Sequence, residues 1–349
     1  MEPPKRVLSE IYDLALCDLD GTAYNGTDRI PNAVDGIAAA RRNGMTFVFV
    51  TNNASRTPAQ TAQKLDAVGI PATAADVMTS AMAAAALAAD CVGTDDLILA
   101  VGGDGVQEAL RERGLSLTTQ ASDRPTAVVQ GLAYDVSWRE LTQACLAIQQ
   151  GARYIATNLD STLPTEHGFA LGNGALVAAV VHATGIPPQS PGKPAPDMFL
   201  NACAQKPNAS PLAIGDRLNT DIAGGNRAGI ATAHVLTGVS SARDVVLATP
   251  EERPSYLLVS LQNLNEAYRA AQLEEPTDDD ICAQCGDYRV CVNRQGIWLR
   301  RTGHNEESSI PLIDGQAVEP TAYRAIAAAC WQAADQGIPV SVPEFVVME

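Results

Sequence analysis

Short apolar runs alternate with helical segments in the first part of the chain. Residues 13–18 and 45–51 are apolar enough to predict strands that are buried on both faces. Each is followed by a segment that a proline opens, which predicts helices over about 31–42 and 58–68. Between the first strand and helix, residues 21–30 are rich in turn formers and predict a flap. Strand–helix–strand alternation predicts a doubly wound parallel sheet.

The middle of the chain repeats this alternation and predicts a separate α/β module over about residues 83–187. The predicted strands are 97–101, 126–130 and 154–157, and the predicted helices are 104–113 and 137–150. The glycine-rich stretch 101–105 could be a nucleotide-binding loop or a tight strand-to-helix turn. It lacks the G-x-G-x-x-G spacing, which favours the turn.

The last part of the chain differs in character. A charged linker over 274–280 leads to a segment, 281–349, with the order β, β, α, β. Its predicted strands are 288–293, 297–301 and 339–347, and its predicted helix is 321–336. The chain therefore divides into a core (1–82 with 188–273), an insert (83–187) and a small α+β domain (281–349).

Composition narrows the functional classes. The 349 residues carry a formal net charge of −16, which argues against a nucleic-acid or anionic-membrane partner. No apolar run reaches the roughly 18 residues of a membrane span, and the N-terminus lacks a signal-peptide pattern. Eight cysteines, mostly in apolar segments, are typical of reduced core residues. We expect a soluble cytoplasmic protein.

The candidate chemistry begins where the first strand ends. Asp18 and Asp20 follow that strand directly, and Thr51 and Asn52 end the second. Open α/β sheets hold their ligands at this carboxyl edge. Two carboxylates about 4 Å apart repel by about 4 kcal/mol at an effective dielectric of about 20. A divalent cation held by oxygen ligands would offset this repulsion.

Further polar residues follow the insert in an ordered series. Lys193 lies in a Gly-Lys-Pro stretch, Asp216 ends the short predicted strand 212–215, and Asp221 comes five residues later. Each residue alone would indicate little, since an exposed lysine or aspartate is usually only solvated. Together with the aspartates after the first strand, this order predicts a catalytic site.

These motifs resemble those of the haloacid dehalogenase superfamily phosphatases, in the class IIA (NagD-like) subclass. The resemblance covers about residues 10–272 and includes Gln130-Gly-Leu, Thr157-Asn-Leu-Asp and Gly172-Asn-Gly in the insert. It implies a Rossmann-like doubly wound parallel sheet with an inserted α/β cap of the C2 type. Cap surfaces often pair subunits in this subclass, which allows a homodimer here.

The resemblance implies Mg²⁺-dependent hydrolysis of a small phosphorylated metabolite. Asp18 would attack phosphorus to form an aspartyl-phosphate, and Asp20 would serve as general acid and then general base. The other implied roles are phosphate binding by Thr51, Asn52 and Lys193, metal binding by Asp18, Asp20 and Asp216, and anchoring of a metal-bound water or of Lys193 by Asp221.

The resemblance also implies that the cap loop over 157–168 determines substrate specificity through Asn158, Asp160 and Leu163. It has no Phe, Tyr or Trp for stacking, which favours a small hydroxylated leaving group over a base or a pyridoxal ring. His167 in this loop is interpreted as an ordinary loop residue, since the aspartates already fill the acid–base role.

The C-terminal domain resembles the extension of bacterial glycerol 3-phosphate phosphatases in this subclass, which is similar to part of an acetyltransferase (GNAT) fold. Glycerol 3-phosphate is therefore the expected substrate. Phosphoglycolate, pyridoxal phosphate and nucleoside monophosphates remain alternatives, as does a non-catalytic regulator that binds a phosphometabolite. Acetyl transfer by the extension is disfavoured because it has no glycine-rich pyrophosphate loop.

Three cysteines of this domain raise a separate question. Cys282, Cys285 and Cys291 suggest a zinc site, but His304 is the only nearby fourth ligand and the spacing fits no common pattern. We therefore expect ordinary reduced cysteines.

Overall fold

The computed structural model of the protein describes residues 6–93, 95–165, 168–275, 280–301 and 309–348. The first 93 residues supply the following elements: α1 (Leu8–Ile11), β1 (Leu14–Cys17), β2 (Tyr24–Asn25), β3 (Asp28–Arg29), α2 (Ala33–Arg42), β4 (Thr46–Thr51), α3 (Pro58–Ala67), β5 (Val77–Thr79) and α4 (Ser80–Cys91).

The insert supplies β6 (Leu97–Val101), α5 (Asp104–Glu112), β7 (Ser116–Thr118), β8 (Ala127–Gln130), α6 (Trp138–Gln149), β9 (Arg153–Ala156), β10 (Thr162–Thr165), β11 (Gly168–Leu171) and α7 (Asn173–Thr184). The chain then returns with α8 (Asp197–Ala204), β12 (Pro211–Gly215), a π-helix (Leu218–Ile222), α9 (Ala223–Arg227), β13 (Ala231–Val235), α10 (Ala242–Val246) and β14 (Tyr256–Leu258).

The last part contains β15 (Gln272–Leu273), β16 (Ile281–Cys285), β17 (Tyr288–Asn293), β18 (Gly296–Arg301), β19 (Ile310–Pro311), β20 (Gln316–Val318), α11 (Pro320–Asp335) and β21 (Phe345–Val347). Short 3₁₀ turns cover Ala74–Asp76, Ala121–Asp123, Pro250–Glu252 and Leu261–Asn265. None of the described helices is both long and apolar enough to cross a bilayer.

The core is a six-stranded parallel sheet in the order β14-β13-β12-β1-β4-β5. All four residues of β1 are buried, as the apolar run predicts for a strand between two helical layers. A capping box between Thr57 and Gln60, with Pro58 at the first helical position, explains why α3 begins where it does. The predicted α/β class and parallel sheet are confirmed.

The cap has its own four-stranded parallel sheet, β7-β6-β8-β9, and the antiparallel hairpin β10–β11. The glycine-rich stretch is a tight strand-to-helix turn, as predicted, with Gly102 at φ +139°. A side chain at Gly105 would collide with the backbone oxygens of Ala54 and Arg56, so α5 packs directly on a loop of the core. The predicted boundary between residues 82 and 83 lies inside α4.

The C-terminal part is α+β, with an antiparallel sheet β15-β16-β17-β18-β19 and a parallel pair β20–β21. The prediction of a strand over 339–347 is wrong in extent, since only Phe345–Val347 pairs. Pro339 and Pro343 lack the N–H that a sheet ladder needs. Strand β16 was not predicted from the sequence, because its five residues show no clear alternation of apolar and polar positions.

The expectation that all cysteines are reduced is wrong for one pair. Cys282 and Cys291 form a disulfide between the adjacent strands β16 and β17, where they are direct register partners. The same bond uses two of the thiolates that the zinc alternative required. His304, like the loop residue His167 and linker residues 276–279, lies outside the described residues.

The disulfide predicts a thiol count. Alkylation of protein that is purified without reductant and then unfolded should label six cysteines, because the other six of the eight are free. Mass spectrometry of the intact chain and of its peptides measures the count, and prior reduction should raise it to all eight. Labelling of Cys282 and Cys291 without reduction would contradict the pairing.

Candidate active site

The candidate site lies at the carboxyl edge of the core sheet. Strand β1 runs parallel to β4 on one side and β12 on the other, with Cys17 beside Phe49 and Ile214. Parallel strands in this register end at the same edge. The residues that follow these strands, Asp18 and Asp216 among them, are therefore brought together.

Three carboxylates form the centre of the site. Oxygen atoms of Asp18, Asp216 and Asp221 lie within 4.8 Å of one another. Asp216 and Asp221 are fully buried, and Asp18 retains only 13% exposure of its side chain. Removal of water raises the pKa of Asp18 well above its ordinary range, while Lys193 opposes this shift. Burial and the neighbouring Asp221 raise the pKa of Asp216 from 3.8 to about 6.

Lys193 is the cation of this cluster. Its Nζ donates to Asp18 Oδ1 at 2.5 Å, to Asp221 Oδ1 at 2.6 Å and to the carbonyl oxygen of Val50 at 2.9 Å. Burial lowers the pKa of this ammonium, but the two carboxylates outweigh it and the net shift is upward. All three N–H donors of the ammonium are used.

The donor set fits a divalent cation. Three carboxylates with one ammonium leave an excess of two negative charges when all are ionised. Carboxylate oxygens at this spacing are the ligands that Mg²⁺ binds in proteins. Burial is the main cause of the raised pKa values of Asp18 and Asp216, because removal from water disfavours the charged carboxylates.

Asp216 is held from several sides. Thr22 Oγ1 donates to its Oδ1 at 3.2 Å, and the backbone N–H of Val239 donates to its Oδ2 at 2.7 Å. Buried His234 contacts its carbonyl oxygen through Nε2 at 2.9 Å. Gly21, at φ +94°, passes so close that an added Cβ would lie 2.6 Å from Asp216 Oδ2. Only glycine fits that position.

Asp20 follows Asp18 by two residues and faces solvent, with 45% of its side chain exposed. Lys64 Nζ is 3.8 Å from Asp20 Oδ1 and 3.9 Å from the centre of the Tyr24 ring. Partial loss of water raises the pKa of the Asp20 carboxyl, which Lys64 opposes. Sequence reasoning missed Lys64, because its position on α3 carries no motif and only the fold brings it to Asp20.

Thr51 and Asn52 reach the same edge, but the amide of Asn52 has structural partners. Its Nδ2 donates to the Lys193 carbonyl at 3.0 Å and to both oxygens of Asp160 at 3.2 Å. Its Oδ1 accepts from the Lys193 backbone N–H at 2.8 Å. Thr51 Oγ1 accepts from the N–H of Asn53 at 3.1 Å and keeps its own proton to donate.

The cap contributes two of its three predicted residues at this edge. Asn158 donates to the Asn52 carbonyl at 2.7 Å, and Asp160 accepts from Asn52 as described. Burial raises the pKa of Asp160, which the Asn52 bond opposes. Leu163 lies opposite Ala170 in the β10–β11 hairpin.

Known proteins are similar to this chain in sequence and fold. Residues 15–116 match the haloacid dehalogenase-like hydrolase family, and residues 190–264 match a second model described as HAD-hydrolase-like. A D-glycerol 3-phosphate phosphatase from Mycobacterium tuberculosis is 38% identical over 93% of this chain and 88% of its own length. The chain belongs to the haloacid dehalogenase-like hydrolase family.

Solved structures and other relatives agree with this membership. A glycerol phosphate phosphatase from Mycobacterium tuberculosis in complex with magnesium matches with a TM-score of 0.82 and 34% identity, over 99% of this chain and 95% of that one. A 5'-nucleotidase from Bacillus subtilis is 37% identical over 72% of this chain and 96% of its own length. As a phosphoric monoester hydrolase of this family, the chain uses Mg²⁺.

The pKa of Asp216 predicts how Mg²⁺ stabilises the fold at different pH. Because its folded pKa of about 6 exceeds the unfolded value of 3.8, protonated Asp216 favours folding below pH 3.8, and this contribution is lost as the pH rises through 6. Mg²⁺ binds the ionised acid, so titration of Asp216 alone should lower the Mg²⁺ affinity about tenfold from pH 7 to pH 5, and the raised pKa of Asp18 should add to this loss.

The measurement is the unfolding midpoint with and without saturating Mg²⁺ at each pH. The midpoint increase should be a few degrees larger at pH 7 than at pH 5. His234, whose pKa burial lowers to about 4, affects both samples alike, so it cancels in the difference. An equal increase at both pH values would contradict a metal site at Asp216.

Proposed function

We propose that this chain is a Mg²⁺-dependent glycerol 3-phosphate phosphatase in which Asp18 is the nucleophile. The observation that carries the proposal is the meeting of Asp18, Lys193 and Asp216 at one sheet edge, with Asp20 two residues after Asp18 in the chain. The identity to the D-glycerol 3-phosphate phosphatase over 93% of the chain supports the substrate.

The first half-reaction transfers the phosphoryl group to the protein. The Asp18 carboxylate attacks phosphorus, the bond to the leaving oxygen breaks, and Asp20 gives that oxygen its proton. Lys193 holds Asp18 in place and faces the charge that builds on the phosphoryl oxygens. Asp18, Asp216 and the carbonyl oxygen of Asp20 would hold Mg²⁺, which would supply the remaining charge neutralisation.

The second half-reaction restores the protein. Asp20, now ionised, accepts a proton from water as that water attacks the aspartyl-phosphate, and the Asp18–phosphorus bond breaks to release phosphate. The position of Asp20 suits this exchange, since its carboxylate is partly exposed while Asp18 is largely buried. The Thr51 hydroxyl and the Asn52 backbone amide orient the phosphoryl oxygens, and Asp221 fixes Lys193.

The cap residues Asn158, Asp160 and Leu163 are proposed to form the substrate side of the site. Asp160 is already tied to Asn52, so the loop is anchored next to the phosphate-binding residues. The sequence 157–168 has no Phe, Tyr or Trp on which a base could stack, which favours a small polyol as leaving group.

The proposed setting is the cytoplasm, with a small phosphorylated metabolite as partner. Six unpaired cysteines are typical of a reducing compartment. The net charge of −16 disfavours nucleic acids and anionic membranes as partners. A homodimer paired through the cap stays a prediction of the resemblance.

A panel of monoesters tests the substrate. We expect kcat/KM for glycerol 3-phosphate to exceed that for phosphoglycolate, pyridoxal phosphate and AMP by about tenfold or more. Activity should vanish with EDTA and fall at least about 1,000-fold in Asp18→Asn, while the matched surface variant Asp66→Asn keeps it. If none of the esters is hydrolysed, the proposal that the chain is a phosphatase is contradicted, and the non-catalytic regulator is favoured.

The role of Asp20 has its own test. A nitrophenolate leaving group is weakly basic and needs no proton donor, so Asp20→Asn should still release one burst equivalent of nitrophenol from 4-nitrophenyl phosphate. The same variant should lose at least about 100-fold in the single-turnover rate with glycerol 3-phosphate. Rapid-mixing kinetics measures both. Equal losses for the two substrates would contradict Asp20 as the acid.

A further inference from the structure

The C-terminal domain and the core share one hydrophobic interior. A single cluster of buried residues contains Leu218 and Ile222 of the π-helix and Val245 of α10, together with Tyr323 and Ile326 of α11. The π-helix also carries Asp221, the partner of Lys193. The domain is therefore packed against the elements behind the Asp216 side of the site.

Polar contacts fix the domain to α10. Trp331 Nε1 on α11 donates to the carbonyl oxygen of Val245 at 2.9 Å, and Arg243 Nε donates to the carbonyl oxygen of Val342 at 2.8 Å. Arg253 donates to Asp335 at 2.8 Å and stacks near the Trp331 ring, 5.7 Å from its centre. The first two bonds hold α10 against the domain, and the Arg253 contacts hold the segment that follows it.

Helix α10 follows directly on a loop, residues 237–241, that touches the site. In this loop the N–H of Val239 donates to Asp216 Oδ2 at 2.7 Å, and the N–H of Ser240 donates to the Asp216 carbonyl at 3.1 Å. Ser240 Oγ accepts from the N–H of Leu218 at 3.2 Å, and Thr237 Oγ1 donates to the Gly21 carbonyl at 2.7 Å.

The end of the loop is continuous with the helix that the domain holds. Ser241 caps α10, accepting from the N–H of Asp244 at 3.2 Å while Asp244 Oδ2 accepts from Ser241. An added Cβ at Gly238 would meet the Asp216 carboxylate at van der Waals overlap, so the loop and this carboxylate are packed without slack. Helix α10, the 237–241 loop and Asp216 are therefore joined by a continuous series of contacts.

We propose that the C-terminal domain is a positioning part of the catalytic unit: through Trp331 and α10 it fixes the 237–241 loop and thereby the orientation of Asp216 for Mg²⁺. The inference rests on the proposed function only in taking Asp216 as a metal ligand. Groups that orient a ligand carboxylate commonly change metal affinity when they are altered. A domain that only adds stability would leave that affinity unchanged.

The test measures Mg²⁺ binding by calorimetry on the full-length protein without substrate. Trp331→Phe removes the indole donor to Val245 and keeps an aromatic ring, and Trp331→Ala also removes the packing. We expect the Mg²⁺ dissociation constant to rise about threefold or more in the first and further in the second. Trp298→Phe and Trp298→Ala are matched controls, since Trp298 lies on β18 beside Cys291 and Pro311.

A double-mutant cycle tests the route. Ser240→Ala removes the acceptor for the Leu218 N–H at the loop, and combined with Trp331→Phe it should change Mg²⁺ affinity by less than the product of the single effects. Additive effects would contradict transmission through the loop. Circular dichroism and urea unfolding show under which conditions each variant is folded, and affinities are compared only there. If Trp331→Ala does not fold, Trp331→Phe alone provides the test.

The outcomes separate the two proposals. Wild-type protein that binds Mg²⁺ and hydrolyses the ester, with unchanged affinity in Trp331→Phe, overturns the positioning role alone. Weakened affinity in the Trp331 variants but not in the Trp298 variants supports it, whichever ester is the substrate. Wild-type protein that binds no Mg²⁺ overturns both.

Discussion

The buried ammonium of Lys193 between two carboxylates is the interaction on which the site depends. Three carboxylates at one sheet edge repel one another strongly in a medium of low dielectric. Lys193 offsets part of this repulsion and uses all of its donors to do so. A buried ion pair of this kind adds little net stability, but loss of one partner is costly. The cluster is therefore held ready for a cation and an anionic substrate.

The same interaction connects the core to the cap. The Asn52 side chain accepts from the backbone N–H of Lys193 and donates to the Lys193 carbonyl, and it also donates to Asp160 of the cap. Asn52, whose backbone is proposed to bind phosphate, thus uses its side chain to join Lys193 to the cap loop that carries Asp160. Lys193 and the cap residue Asp160 therefore belong to one hydrogen-bond network, which favours a site whose parts are ordered together.

The cysteines show where local reasoning fails. Cys282 and Cys291 are nine residues apart, a spacing that indicates neither a disulfide nor a metal site. Their pairing follows from the register of β16 and β17, in which they are opposite one another, and β16 itself carries no alternation strong enough to predict it. The prediction of a long strand over 339–347 was wrong for a local reason. Pro339 and Pro343 lack the N–H donors that a sheet ladder needs.

The sequence by itself determined the parallel core sheet, the order of the motifs and the identity of Asp18, Asp20, Lys193, Asp216 and Asp221 as candidates, because buried strands and the polar residues that end them are local features. Only the tertiary structure decided which atoms meet. Lys64 beside Asp20, the side-chain bonds of Asn52 and the Val239 amide on Asp216 join residues that are far apart in the chain. Such contacts depend on how helices and loops pack over the sheet, and no pattern along the sequence records that packing.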